Sequence, residues 1–169
     1  VKTAASDALT YAAEQLHISR AELEDRIVPN LGFDESMERT FDYGPRTFRV
    51  LLSPALELEV FDEAGKKLKS LPAPGKRDEE EKAKAASDEF KLLKKQLKTV
   101  VTSQKQRLEE ALSAERLWQV DKWKELFVKN PVMHQFAMGL IWGMYLPTED
   151  SVASGQEAEA AGNAAKECV

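Results

Sequence analysis

The sequence predicts an α+β domain: amino-terminal helices, a three- or four-stranded antiparallel meander, then long amphipathic helices packed on the sheet. Three observations carry that expectation. Apolar residues recur at helical spacing through residues 2–28, change to a period of two between Met37 and Leu71, and return to helical spacing after a proline-rich break. Helices segregated to one face of an antiparallel sheet are the architecture this order favours. The 169 residues, 43% hydrophobic and 31% charged, suit one unit over residues 1–146, followed by a flexible acidic tail over 147–169.

In the first segment Ala5, Ala8, Leu9, Ala12, Ala13 and Leu16 form a narrow stripe, predicting a helix over 2–17. Ser19-Arg20-Ala21-Glu22 reads as a capping box that opens a second helix over about 20–28, closed by Pro29. Strands follow from Phe41 and Tyr43, from Phe48, Val50 and Leu52, and from Leu56, Leu58 and Val60, which alternate with polar residues. Gly44-Pro45, Ser53-Pro54 and Asp62-Glu63-Ala64-Gly65 supply the reversals, and a last strand ends near 67–70. Arg49 is placed to face Glu57 or Glu59 across the wet face.

Leu71-Pro72-Ala73-Pro74-Gly75 suits neither strand nor helix and reads as a linker. Residues 77–114 contain no Pro or Gly, and an unbroken helix of that length would reach roughly 57 Å. Either it breaks near Ser87-Asp88, where a cap could start a new segment, or its free end packs on another part of a larger protein. Asp121 can cap a short helix carrying Trp123, Leu126 and Phe127. Asn130-Pro131 then reads as cap and first residue of a helix that turns Val132, Met133, Phe136, Ala137, Leu140 and Ile141 inward.

Charge and composition exclude several classes. The net charge is −5, of which residues 149–169 carry −4, so the body is nearly neutral and exerts no whole-protein field on anions. The longest apolar run, Phe136 to Leu146, has eleven residues and two glycines, short of the ~18 a membrane span needs. One cysteine, Cys168, cannot form an internal disulfide, which points to a reducing, cytoplasmic setting. The start, Val1-Lys2-Thr3, lacks methionine and signal-peptide character, as expected of a piece of a longer protein.

Candidate chemistry is sparse. His17 falls at a helix end, where an imidazolium favours the dipole, and His134 reads as a half-exposed helical residue with one hydrogen-bond partner. No His or Cys pair has metal-ligand spacing, no Gly-rich turn cradles phosphate, and no carboxylate pair stands out as acid and base. The expectation is no catalytic residue, no metal and no cofactor. What does stand out is the acid-free interval between Glu89 and Glu109. On a helix, Lys91, Lys94, Lys95, Lys98 and Lys105 fall within an arc of about 100° beside the apolar face. Such a row neutralises phosphates of nucleic acid by backbone contact, or is a solvated face whose aliphatic stems shield the core edge. A second group, Trp118, Trp123, Trp142 and Tyr145, reads as core or as a docking face for the rest of a larger protein.

A resemblance emerges from motifs in a fixed order. Glu22-Leu23-Glu24-Asp25-Arg26-Ile27-Val28-Pro29, Phe41-Asp42-Tyr43-Gly44-Pro45-Arg46, Leu68-Lys69-Ser70-Leu71-Pro72, Phe90-Lys91-Leu92-Leu93-Lys94-Lys95-Gln96-Leu97 and Trp123-Lys124-Glu125-Leu126-Phe127 precede Leu140-Ile141-Trp142-Gly143. Over about residues 19–146 the chain resembles the domain of unknown function near the C-terminus of large bacterial proteins of the molybdate metabolism regulator (MolR) type. The resemblance implies a long parent protein, in which this domain is joined to helical repeats or to a Trp-Gly-Arg type nucleic-acid-associated domain. It implies no catalytic residue here. The expected function is a non-catalytic interaction or scaffold module of a cytoplasmic regulatory protein, partnered by other domains of its parent. The alternative is a sequence-nonspecific nucleic-acid-binding domain.

Overall fold

A meander of four antiparallel strands, each hydrogen-bonded to the next in chain order, supports one long helix in the computed structural model, which describes residues 2–145. The expected acidic tail over 147–169 lies outside the described residues. Strands β1 (Glu38–Asp42), β2 (Thr47–Leu52), β3 (Leu58–Phe61) and β4 (Lys67–Leu68) confirm the period-two reading. The register sets Phe41 opposite Phe48 and Val50 opposite Val60, so one face is apolar except for Arg39, which lies opposite Val50 and pairs with Glu89. Asp42 Oδ1 accepts the Gly44 N–H at 2.7 Å in the first turn, where Gly44 takes φ +88°.

Two details differ from expectation. Leu56 belongs to the β2–β3 turn, at φ +60°, and β3 starts two residues later. Arg49 pairs with Glu38 at 3.4 Å, because the register puts Glu59 opposite Leu51 and Glu59 is taken by Lys67 at 2.7 Å.

Before the sheet, α1 (Lys2–Gln15) and α2 (Arg20–Arg26) form the expected helix pair. The N–H groups of His17 and Ile18 bond back to Glu14 and Ala13, closing α1 with His17 at φ +53°. That reversal leaves Leu16 exposed while Ala13 is buried. Ser19 Oγ accepts the Glu22 N–H at 3.1 Å, one half of the capping box; the Glu22 carboxylate pairs with Arg26 instead.

Helix α3 (Glu80–Ser113) runs unbroken for 34 residues, about 51 Å. Of the two alternatives for this segment, the break near Ser87-Asp88 does not occur, because Ala83, Ala86, Phe90, Leu93 and Leu97 continue one buried stripe through it. That stripe covers Phe41, Tyr43, Phe48, Val50, Leu52 and Val60 of the sheet side, all buried. The start of α3 is fastened to the first hairpin. Arg46 makes two bonds to Asp78, at 2.9 and 2.6 Å, Tyr43 Oη donates to the Pro72 carbonyl at 2.8 Å, and the Glu79 N–H donates to the Tyr43 carbonyl.

The carboxyl end forms a second, smaller core. Helix α4 (Val120–Trp123) starts after Gln119 rather than at Asp121 and continues into a π-helical segment, Lys124–Lys129. Helix α5 (Pro131–Met138) is capped as expected, Asn130 Oδ1 accepting the Val132 and Met133 N–H groups at 3.0 and 3.1 Å. Val132 and Met133 are fully buried, but Leu140 and Ile141 are exposed, because the helix stops at Met138 and Gly139.

Candidate functional site

Helix α3 carries the lysine row on a solvent-facing flank, since burying the Phe90–Leu93–Leu97 stripe fixes the rotation of everything else on it. Lys91, Lys94, Lys95, Lys98 and Lys105 are all exposed. Lys91 pairs with Asp88 at 2.8 Å, and this pairing, with Lys84 nearby, holds the Asp88 carboxyl below its ordinary range. Lys94 lies 4.5 Å from the Phe90 ring centroid and reaches Ser70 Oγ at 3.3 Å. For Lys95, Lys98 and Lys105 no ion pair forms among the described residues. The Lys94–Ser70 contact brings the end of the meander against the same flank. Sequence spacing along α3 could not reveal that neighbour.

The aromatic group is divided. Trp118, Trp123 and Trp142 are half-buried around Phe127, with the ring centroids of Trp118, Trp123 and Trp142 at 5.5, 6.0 and 4.6 Å from Phe127. Leu126, Met133 and Val28 complete this cluster. Tyr145 stands apart, 75% exposed, in a stretch where Met138, Leu140, Ile141 and Met144 are also exposed. Trp142 Nε1 donates to the Ala137 carbonyl at 3.2 Å, which fixes this segment against α5. Trp123 Nε1 and His134 Nδ1 are enclosed without a hydrogen-bond partner among the described residues, and His134 is half-buried within α5, as a half-exposed helical residue would be.

Between these two regions lies a polar knot that spacing did not reveal. Asp25 of α2 accepts from Arg107 Nη2 at 2.5 Å, from Arg116, and from Trp118 Nε1 at 3.0 Å. Arg107 also bonds Gln104 Oε1 at 2.7 Å and the Ala21 carbonyl. The partners are 82–93 residues apart in sequence. The one available signal was helical angle: Arg107 falls outside the arc of the five lysines.

A groove of about 580 Å³ opens between the π-helical segment and the loop before β1, lined by Asn30, Asp34, Glu35, Glu125 and Lys129 among others. Among the described residues no cluster of three His, Cys, Asp or Glu could hold a metal ion, and no helix is long and apolar enough to cross a membrane.

The family model described as "Domain of unknown function (DUF4132)" matches residues 65–168, which takes in α3, the lysine row and the aromatic cluster. The chain belongs to the DUF4132 family. Escherichia coli (strain K12) has a relative of this DUF4132 chain, named uncharacterized protein YehI, that is 37% identical over 145 residues. Those residues are 86% of this chain and 12% of YehI, so the chain spans about an eighth of that relative. No solved structure matches significantly.

Proposed function

We propose that this DUF4132 chain is a non-catalytic interaction and scaffold module of a large, cytoplasmic, MolR-like regulatory protein, and that it docks on other parts of that protein through its carboxyl-terminal apolar face. The observation that carries the reading is the run of large apolar side chains left in solvent at 138–145. Met138, Ile141, Met144 and Tyr145 are each more than two-thirds exposed, immediately beside a tryptophan cluster that is only half-covered. Monomeric domains seldom expose a contiguous patch of that kind without a partner. The relative's length supports the choice of occupant, because a 145-residue match is 12% of it and leaves a large remainder that could cover this face. A MolR-like role in transcription follows from the motif resemblance.

The test is two-piece reconstitution. The chain is mixed with the remainder of a long family member, and binding is measured by calorimetry. Binding that Ile141→Ser/Met144→Ser weakens at least tenfold, with the circular dichroism spectrum unchanged, is the expected result. Absence of binding, or affinity indifferent to that pair of changes, overturns the reading.

A further inference from the structure

We infer that the exposed flank of α3 is a second interaction surface, one that binds the phosphate backbone of nucleic acid without regard to sequence. From Lys91 to Lys105 the helix advances about 21 Å in a straight line, and its intact course through Ser87-Asp88 makes that flank rigid. The helix holds no acid between Glu89 and Glu109. Asp88, at the margin, is engaged by Lys91. The end of the meander meets the row, since Ser70 Oγ lies 3.3 Å from Lys94 Nζ. Lys95, Lys98 and Lys105 form no ion pair among the described residues, so their charges are available.

The chemistry of the ridge selects the partner. A protein partner binding here would want aromatic or arginine anchors in desolvated pockets, and a bilayer surface would want apolar side chains to insert. The ridge offers ammonium groups, and the Thr102 hydroxyl along it donates back to the Lys98 carbonyl. Point charges on flexible stems follow a line of phosphates, and they carry none of the forked geometry that reads base edges. Affinity then comes from counterion release and falls steeply with salt.

The experiment uses the full 169-residue chain and fluorescence anisotropy on a labelled DNA duplex of scrambled sequence, titrated between about 50 and 200 mM salt. Each phosphate contact contributes roughly 0.9 to the slope of log affinity against log salt, so Lys94→Glu/Lys98→Glu should flatten it by about two. A control of equal charge change, Lys66→Glu/Lys129→Glu, should leave the slope in place. A slope unmoved by the α3 pair, an equal effect of the control, or a strong preference among duplex sequences overturns the inference. So does displacement of the duplex by polyglutamate at equal charge concentration, which would assign the ridge to acidic proteins. Loss of apolar docking in the reconstitution test leaves these outcomes unaffected, so the two readings fail separately.

Discussion

Asp25 gathers three long-range polar partners onto one carboxylate. Its carboxylate satisfies Arg107 from α3, Arg116 from the segment after α3 and the Trp118 indole, and its side chain is 13% exposed. Removing it leaves the partly enclosed Arg116 guanidinium with no ion pair among the described residues and Arg107 with only Glu24, at 3.3 Å, which costs more than the pairing itself gains. Asp25→Ala should therefore lower the unfolding free energy in urea by about 3 kcal/mol, whereas Arg116→Ala, which leaves Arg107 in place, should cost about half as much. Asp78 predicts a pH dependence. Its bonds from Arg46, and then from the Gly75 N–H, hold the carboxyl below the ordinary aspartate range. A depressed folded value stabilises the protein above the unfolded value, near 3.9, and that stabilisation disappears as pH falls through the folded value. The urea midpoint should thus drop between about pH 5 and pH 2, and Asp78→Asn should flatten that part of the profile. A profile identical in the two proteins would show that the Arg46–Asp78 clasp does not contribute.

Helix ends and helix faces are where sequence and structure compare most usefully. The strand pattern and the Asn130–Pro131 cap were legible because each depends on neighbours within a few residues. The end of α5 was not, since Leu140 and Ile141 prolong the i, i+3, i+4 spacing past the point where Gly139 turns the chain away. The π-helical segment has no spacing signature of its own, and the Asp25 knot and the Ser70–Lys94 contact depend on tertiary contacts that no local pattern encodes. The lysine row was fully legible, because a helical wheel already gives its arc. One end carries a correctable strain. Glu115 closes α3 at φ +50°, with its N–H bonded to Leu112 and that of Arg116 to Ala111, the position where glycine is usual. Glu115→Gly should raise stability by about 0.5–1 kcal/mol, the relief of a left-handed side-chain clash less the extra backbone entropy of glycine. In the middle of the same helix, Leu93→Ala should lower it by about 3–5 kcal/mol through cavity formation, since Leu93 is completely buried against the sheet.

At the scale of the whole molecule, two apolar cores share one spine. The sheet packs beneath the first half of α3, and the tryptophan cluster around Phe127 meets Leu108 near its carboxyl end. Adjacent residues of α5 divide between them, Val132 entering the sheet core and Met133 the aromatic one, while Phe136 packs against both. Gln135 adds a polar stitch by donating to the Leu52 carbonyl at 3.2 Å from within the buried region. Two cores linked only by a surface loop would melt independently, but cores that share a continuous helix, a divided helix and a buried hydrogen bond should melt together. Nature has supplied separate probes for this. All three tryptophans lie in the second cluster, so their fluorescence follows it, whereas far-ultraviolet circular dichroism follows the helices and sheet of the entire domain. Urea titrations by the two probes should superimpose, and Leu93→Ala in the sheet core should move the fluorescence midpoint as far as the dichroism midpoint. If the tryptophan transition stays behind when Leu93 is truncated, α3 is a passive connector, and the apolar face at 138–145 is held by its own small core rather than by the sheet.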